Sequence, residues 1–428
     1  MRLSLSVFLF ALPLAAWAQT PLTGPGPSSP RASESAAPLT LNAALELALG
    51  ANPELSAAGR ELEALDATIT QAQARPNPEL SALIEDTRRE TRTTTLQLNQ
   101  PIELGGKRGA RIEAAERGRD AASLELDAKR AEIRAAVTAA FFDVLVAQER
   151  LRLAQASVEL AQRATGAASR RVIAGKVSPV EETRARVAEA AVRVEQAQAA
   201  SEVTTARRRL AATWGNSSPR FERAEGDPEA LPPLPAMADL NARLAASPNL
   251  LRATIEVDRR QSLAEVERSR SVPDMIVSLG GKRIEELDLN QAILGVSIPI
   301  PIFDRNQGNL LEALRRTDKA RDELSATGIR LSNELVQAHE RLNTARQEVA
   351  SLQRDILPGA QSAYDAATKG FELGKFSFLE VLDAQRTSFQ AKSQYLRALA
   401  EAHRSAAEIE RILGAASTQS TLAPAATQ

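Results

Sequence analysis

The sequence predicts a mainly α-helical chain with a small β part, laid out as two tandem repeats of one unit: a helix, a pair of strands and a long antiparallel coiled-coil hairpin. Three observations predict this. Of the 428 residues 43% are hydrophobic but only 3% aromatic, so Ala, Leu and Val carry the packing, as in long helices rather than sandwiches. Short motifs recur in the same order along the chain, which marks an internal duplication. Apolar or small residues recur at alternating three- and four-residue spacings over long Pro-free stretches, which marks helical seams.

Met1 to Ala18 reads as a secretory signal, with Arg2 as the positive start, an apolar run from Leu5 to Ala16 and the small-residue site Ala16-Trp17-Ala18 before Gln19. The run is shorter than the roughly 20 residues a spanning helix needs, so export is expected. Residues 19–40 are rich in Pro, Ser, Gly and Ala and predict an extended arm that does not pack alone. A second such stretch, 216–236, holds Pro219, Pro228, Pro232, Pro233 and Pro235 and separates repeat 1 (41–215) from repeat 2 (237–414). The small, polar tail 415–428 is expected to fray.

The duplication is carried by matched motifs. Ala51-Asn52-Pro53-Glu54-Leu55 answers Ala246-Ser247-Pro248-Asn249-Leu250, and Pro78-Glu79-Leu80 answers Pro273-Asp274-Met275. Farther on, Pro101-Ile102 answers Pro301-Ile302, Gly175-Lys176-Val177-Ser178 answers Gly374-Lys375-Phe376-Ser377, and Trp214-Gly215 answers Leu413-Gly414.

In each repeat the opening helix is followed by two extended stretches. Glu79 to Asp86 sets Leu80, Ala82 and Ile84 on one side, and Thr94 to Ile102 does the same with Leu96 and Leu98; Asp274 to Gly281 and Leu289 to Ile302 repeat the pattern. The charged runs 87–92 and 282–286 between them belong in water as loops. Four strands cannot close a barrel, and an open edge cannot face lipid, so an exported chain with these strands must share its sheet with other copies.

The hairpins come next. From Lys107 to Ala174 there is no Pro and Ala, Glu, Arg, Leu and Gln dominate, which favours an unbroken helix of roughly 100 Å. Its seam reads Val144, Ala147, Leu151, Ala154, Val158, Ala161, answered by Val180, Thr183, Val187, Ala190, Val194, Ala197. In repeat 2 the seam reads Leu331, Leu335, Ala338, Leu342, Ala345, Val349, Leu352, Ile356, answered by Leu379, Leu382, Phe389, Leu396. Gly175 suits a helix stop at positive φ, and Ser178-Pro179-Val180-Glu181 starts the next helix as a capping box with Pro at its first position. Gly374 and Ser377-Phe378-Leu379-Glu380 form the twin joint.

Several function classes fall away. With 53 basic against 54 acidic residues, the electrostatic footprint of nucleic-acid binding is missing. The absence of Cys excludes disulfides, thiolate metal sites and an acylated N-terminal Cys. His339 and His403 lack a second ligand at helical spacing, and no bound metal or other cofactor is expected. No nucleophile with a base, zinc motif or phosphate loop is present: Gly105-Gly106-Lys107 lacks the first half of a Walker pattern and reads as a flexible strand-to-helix joint. An enzyme is therefore not expected.

From the Leu41-Asn42-Ala43-Ala44-Leu45 start to Gly414, these residues resemble the TolC-type outer-membrane factor family. The carriers are the duplicated Asn-Pro and Ser-Pro helix starts, the Gly-Lys-x-Ser tips and the strand-to-helix joints. Gln100-Pro101-Ile102-Glu103-Leu104-Gly105-Gly106-Lys107-Arg108 and Ser297-Ile298-Pro299-Ile300-Pro301-Ile302-Phe303-Asp304-Arg305-Asn306-Gln307-Gly308 resemble its heavy-metal-efflux (CzcC-like) branch. The resemblance implies a homotrimer with a twelve-stranded outer-membrane β-barrel, four strands per chain, standing on a periplasmic α-barrel. It further implies docking onto a periplasmic adaptor (membrane fusion protein) and an inner-membrane pump of the resistance-nodulation-division type. Outer-membrane barrels carry aromatic girdles at both interfaces, yet Phe303 is the only aromatic near a strand end.

Threefold symmetry would turn Glu181, Glu182, Glu380 and Asp383, just past the turns, into carboxylate rings around a narrow periplasmic entrance, which favours cations. Phe378-Leu379-Glu380-Val381-Leu382-Asp383-Ala384 resembles the family's gate segment; Glu181 and Glu380 equally suit helix capping. Gly175, Lys176, Val177 and Ser178 with Gly374, Lys375, Phe376 and Ser377 are the expected adaptor-docking tips, because exposed Val177 and Phe376 suit burial by a partner; packing between neighbouring tips is the other reading. The expected function is export of heavy-metal cations such as cobalt, zinc, cadmium, nickel or copper and silver. The alternative cargo is organic compounds, as in multidrug efflux. A periplasmic adaptor is a further alternative, but it would have one hairpin flanked by β-rich domains.

Overall fold

The computed structural model describes Glu34 and residues 37–414, Pro228 and Gly374 excepted. The signal segment 1–18, the arm as far as residue 33, the tail 415–428, Gly374 of the second tip and the side chain of Leu379 lie outside the described residues.

Repeat 1 opens with α1 (Leu41–Ala51) and α2 (Pro53–Gln73). Asn52 separates them: its Oδ1 accepts the Glu54 and Leu55 N–H groups at 2.8 and 3.0 Å, while its Nδ2 donates to the Thr213 carbonyl at 2.7 Å. One side chain thus caps α2 and ties it to the far end of the repeat. The strands β1 (Glu79–Glu85) and β2 (Thr93–Ile102) follow, then α3 (Lys107–Ile173) and α4 (Pro179–Ala212). Repeat 2 repeats the order as α5 (Met237–Leu244), α6 (Pro248–Arg270, capped by Ser247), β3 (Met275–Ile284), β4 (Leu289–Ser297), α7 (Gln307–Ser351), α8 (Leu357–Glu372) and α9 (Phe378–Leu413).

The 67-residue α3 is the spine, about 100 Å long. Its first half lies along α2 and α6, as the Arg119–Asp66 and Arg252–Glu125 pairs record; its second half lies along α4 and α9, tied by Arg150–Glu202 and Arg404–Asp143. Near the middle, two matching cores form. In repeat 1 Phe141, Val144, Leu210, Trp214 and Phe221 are buried together, and in repeat 2 Leu240, Leu331, Leu335, Leu342 and Ile412. The end of the arm belongs to the first core. The buried Glu34 carboxylate accepts the Arg220 and Phe221 N–H groups and the Asn216 amide at 2.6, 2.9 and 2.6 Å, and Leu39 pairs in parallel with Ala224. The arm's end and the start of the Pro-rich linker therefore hold each other.

The four strands form one antiparallel sheet in the order β1-β2-β3-β4, so the two repeats meet at β2–β3. Both β1 and β4 have a free edge within the chain.

Four expectations need correction. The β3 strand runs to Ile284, so Lys282 and Arg283 pair with Gln291 and Asn290 in the ladder instead of lying in a loop. At the other end β4 stops at Ser297, because Pro299 and Pro301 cannot donate to a ladder. On α4 the seam is not the valine stripe: Val180, Val187 and Val194 are 53%, 66% and 57% exposed, and Ala185, Ala199, Ala206 and Leu210 are buried instead. Small side chains let α4 approach α3 closely, and the valines are left on the outer face. Finally, the long arm of the second hairpin is not continuous. Pro358 supplies no N–H to the helix ladder, and a π turn at Leu352–Ile356 absorbs the gap, with the Leu357 N–H reaching back to the Leu352 carbonyl. The extra residue turns the following helix by about 100°, so Ile356 is exposed and the packed face continues through Leu357, Ala360 and Ala367.

Candidate functional site

Two ends of the molecule bear on function. At the sheet end, directly paired residues share a face. The register puts Leu80, Ala82 and Ile84 of β1 in line with Leu98, Leu96 and Thr94 of β2. Leu98 in turn pairs with Leu279, and Leu279 with Leu294. That face is apolar and exposed, with Leu294 79% accessible. The opposite face is polar. There Asn99 accepts from Gln97 and Ser278 at 2.9 and 2.7 Å and donates to Ser81 at 3.3 Å. A sheet with an apolar outside and a hydrogen-bonded polar inside, open at both edges, is the pattern of a strand set that closes with further copies around an aqueous bore.

The first strand-to-helix joint is pinned, not flexible as the glycines predict. Asp274 accepts the Leu104 N–H at 3.2 Å and pairs with Lys107 at 2.7 Å, and Glu103 pairs with Arg111. A side chain at Gly105, whose φ is +69°, would meet Val272 at 2.7 Å. Glycine is needed there for close approach as well as for its backbone angle. At the second joint Asn306, at φ +59°, donates to the Glu267 carbonyl and carboxylate, both at 2.8 Å.

At the other end lie the two hairpin tips. The α3 helix stops as the sequence predicts: Gly175 takes φ +66°, and the Lys176 N–H returns to the Arg171 carbonyl at 2.9 Å. Ser178 caps α4 by accepting the Val180 N–H at 3.3 Å. Glu181, however, does not complete a capping box. It pairs with Arg184 at 3.4 Å, and Glu182 pairs with Arg186 at 2.5 Å. The box forms only at the second tip, where Glu380 accepts the Ser377 N–H at 2.6 Å. Asp383 is exposed and makes no ion pair among the described residues. Three of the four expected carboxylates are thus already engaged within the chain.

Phe376 is exposed as expected, at 44%, whereas Val177 is half-buried at its turn. The Phe376 ring lies over Gly370, where a Cβ would fall 2.1 Å from the ring. Lys375 and Ser377 are exposed, as are Lys176 and Ser178. The barest apolar residues described at the tips are Ile173 and Leu373, 83% and 64% exposed, one turn earlier. Sequence reasoning missed them, although both fall off the seam spacing just before a Gly-Lys pair. It also missed Arg171, which links the two tips: its guanidinium sits 4.3 Å from the Phe371 ring and donates to the Phe371 carbonyl at 2.9 Å. Beneath it Ala168, Ala185 and Leu382 pack with Phe371.

The histidines lie away from both ends. His339 contacts the Pro235 carbonyl at 3.1 Å, and buried His403 stacks on Phe142 with ring centroids 3.4 Å apart. Among the described residues no three His, Cys, Asp or Glu side chains converge as a metal cage. No described helix is long and apolar enough to cross a membrane.

Fold and ends together define a duct protein, a two-faced barrel segment on a double helical hairpin. The chain belongs to the outer membrane efflux protein family, which matches residues 44–216 and 240–415, one stretch per repeat. It is 52% identical over 381 residues, 89% of this chain and 91% of the other, to the cobalt-zinc-cadmium resistance protein CzcC of Cupriavidus metallidurans. The nickel-cobalt-cadmium resistance protein NccC of Alcaligenes xylosoxydans xylosoxydans is 28% identical, covering 72% of this chain and 69% of its own. Among solved structures, CusC superposes with a TM-score of 0.76 at 19% identity, covering 88% of this chain and 92% of its own. The open-state MtrE outer membrane channel of Neisseria gonorrhoeae gives 0.74 at 20% identity, with 87% and 88% covered.

Proposed function

We propose that this chain is the outer-membrane channel of a tripartite efflux system that exports heavy-metal cations from the periplasm to the outside. The observation that carries the cargo class is the 52% identity across 89% of the chain to a cobalt-zinc-cadmium resistance protein. A homotrimer is supported by the open sheet edges, since three copies of four strands close a twelve-stranded barrel. The barrel sits in the outer membrane and the hairpins extend into the periplasm. As a passive conduit the chain catalyses nothing; energy comes from an inner-membrane pump of the resistance-nodulation-division type, reached through a periplasmic adaptor.

The adaptor docks at the tips, on Gly175, Lys176, Val177 and Ser178 and on Gly374, Lys375, Phe376 and Ser377, with exposed Ile173 and Leu373 as the apolar anchors. The periplasmic entrance is lined by Glu181, Glu182, Glu380 and Asp383. Asp383 carries most of the cation preference there, because Glu181 and Glu182 are paired with Arg184 and Arg186 and the Glu380 carboxylate is turned back to the Ser377 cap.

Growth of a deletion strain across zinc, cobalt, cadmium, nickel, copper and silver salts, beside dyes, detergents and antibiotics, tests the cargo. Sensitivity confined to metals is expected; sensitivity confined to organic compounds overturns the cargo class and leaves the duct. For the entrance, purified channel in planar bilayers should lose cation preference in D383N and little more in the E380A/D383A double variant. Unchanged selectivity in both would remove the entrance assignment.

A further inference from the structure

Between β4 and α7 the chain passes from sheet to helix along Ile298-Pro299-Ile300-Pro301-Ile302-Phe303. All six residues are apolar and all are exposed, Ile300 by 80% and Phe303 by 90%. A run of this length facing water is disfavoured unless something covers it. The equivalent joint of repeat 1 is built differently, with Glu103, Gly105 and Gly106 and the Asp274 pins.

Three features fit a lipid boundary as the cover. First, the demand for backbone partners is halved: Pro299 and Pro301 have no N–H and the Ile302 N–H is taken by the Ile300 carbonyl at 2.9 Å, which leaves the Ile298, Ile300 and Phe303 N–H groups to headgroups or interfacial water. Such a segment tolerates water-poor surroundings that an ordinary loop does not. Second, the run follows directly in sequence on a strand of the apolar face, β4 ending at Ser297. Ala292, Leu294 and Val296 pair in line with Gly281, Leu279 and Val277, and the isoleucines at 298, 300 and 302 keep the same parity. Third, its height is right. The 9 residues of β4 span roughly 30 Å along the strand and, tilted by about 40°, roughly 23 Å along a barrel axis, close to the ~25 Å apolar band of outer-membrane barrels. Residues just beyond Ser297 therefore fall where interfacial aromatics normally sit. The four strands themselves contain no aromatic residue, and charged Asp304 and Arg305 follow at once.

We propose that Ile298–Phe303 is an interfacial membrane anchor, lying at the headgroup-to-acyl boundary of the periplasmic leaflet. Phe303 of each subunit supplies the aromatic contact that the strands lack. This rests on the outer-membrane-channel reading above, and the test separates the two. Full-length F303W channel is reconstituted in phosphatidylcholine vesicles whose acyl chains are brominated either close to the headgroup or near the chain end. L294W, in the middle of the apolar face, is the inserted-barrel control, and wild-type emission gives the background. The added tryptophan of F303W is expected to emit at short wavelength and to be quenched most by the shallow bromines, while that of L294W is quenched more by the deep ones. I300W should follow F303W, which guards against a local rearrangement at one position. Quenching of F303W by aqueous iodide alone overturns the anchor, because the segment is then in water. Short-wavelength emission that neither quencher reaches also overturns it, because a neighbouring copy then covers the strap. Escape from bromine at L294W as well overturns the barrel reading itself.

Discussion

The first hairpin carries its long arm as the single 67-residue α3, whereas the second divides the same span into α7 and α8 at the π turn Leu352–Ile356. Their tips differ in the same spirit. The first is capped by Ser178 alone and leaves Glu181 and Glu182 to local arginines; the second closes a full capping box through Glu380 and lays Phe376 over Gly370. Both copies share the plan of helix, strands, hairpin and cap, and they differ in the π turn and in the way the tip is closed. The difference teaches that helix phase is a local property: one inserted residue re-aims the whole of α8 without disturbing the core built by Leu331, Leu335 and Leu342.

The largest test of this comparison is in the two cores. F141A should cost about 3–5 kcal/mol and L335A about 2–5 kcal/mol, read from denaturant unfolding followed by circular dichroism. A single shared transition in both variants means the repeats melt as one unit; two separated transitions mean each core holds its own hairpin. Next, the same Gly→Ala change should act with opposite sign near the two tips. G370A drives a Cβ into the Phe376 ring and should destabilise by about 1–3 kcal/mol. In α3, where a Cβ at Gly166 would meet only the Arg170 guanidinium at 3.7 Å, an ordinary contact, G166A should stabilise by about 0.5–1 kcal/mol through helix propensity. Thermal melts of the two variants decide it, and equal signs would remove the structural distinction between tips.

A smaller effect is expected at the link between tips. R171A removes the guanidinium from the Phe371 ring and carbonyl, worth about 1–2 kcal/mol, and should speed amide exchange at 369–376 while leaving the α3–α4 turn protected. The smallest is electrostatic. The Arg411 hydrogen bond holds the Glu408 carboxyl below its ordinary range, and Arg411 also reaches Glu334 of α7 at 3.2 Å. Because the folded-state value is lowered, this contribution is present above the unfolded carboxylate value of about 4.3 and is lost as pH falls through the folded one. The half-exposed pair is worth at most about 1 kcal/mol. The melting difference between wild type and E408Q should therefore be visible at neutral pH and vanish in acid; a difference that persists in acid would show that packing, not charge, is involved.

Much of the fold was legible because the signals are local and repeated. The Asn-Pro and Ser-Pro starts, the Gly175 stop, the Ser377–Glu380 box and the alternation of β1 to β4 each depend on a few neighbouring residues. The misreadings have a common cause. Choosing seams by hydrophobicity favoured Val180, Val187 and Val194 on α4, but close helix approach selected alanines. Gly105 and Gly106 read as slack, yet Val272 and Asp274, far away in sequence, pin that joint. Among the candidate carboxylates, spacing identified four and only the contacts with Arg184, Arg186 and Ser377 distinguish Asp383 from the rest.

The sequence by itself determined the repeat, the element order, the turns and the two-faced strands, since periodicity, caps and proline act within a turn or two of chain. Only the tertiary structure decided which helical face is buried, that the two repeats join at β2–β3, that Arg171 couples the tips through Phe371, and that Ile298–Phe303 stays uncovered. Those outcomes depend on groups many turns of chain apart meeting in space, most widely Arg171 with Phe371 at a separation of 200, and no local pattern encodes the meeting.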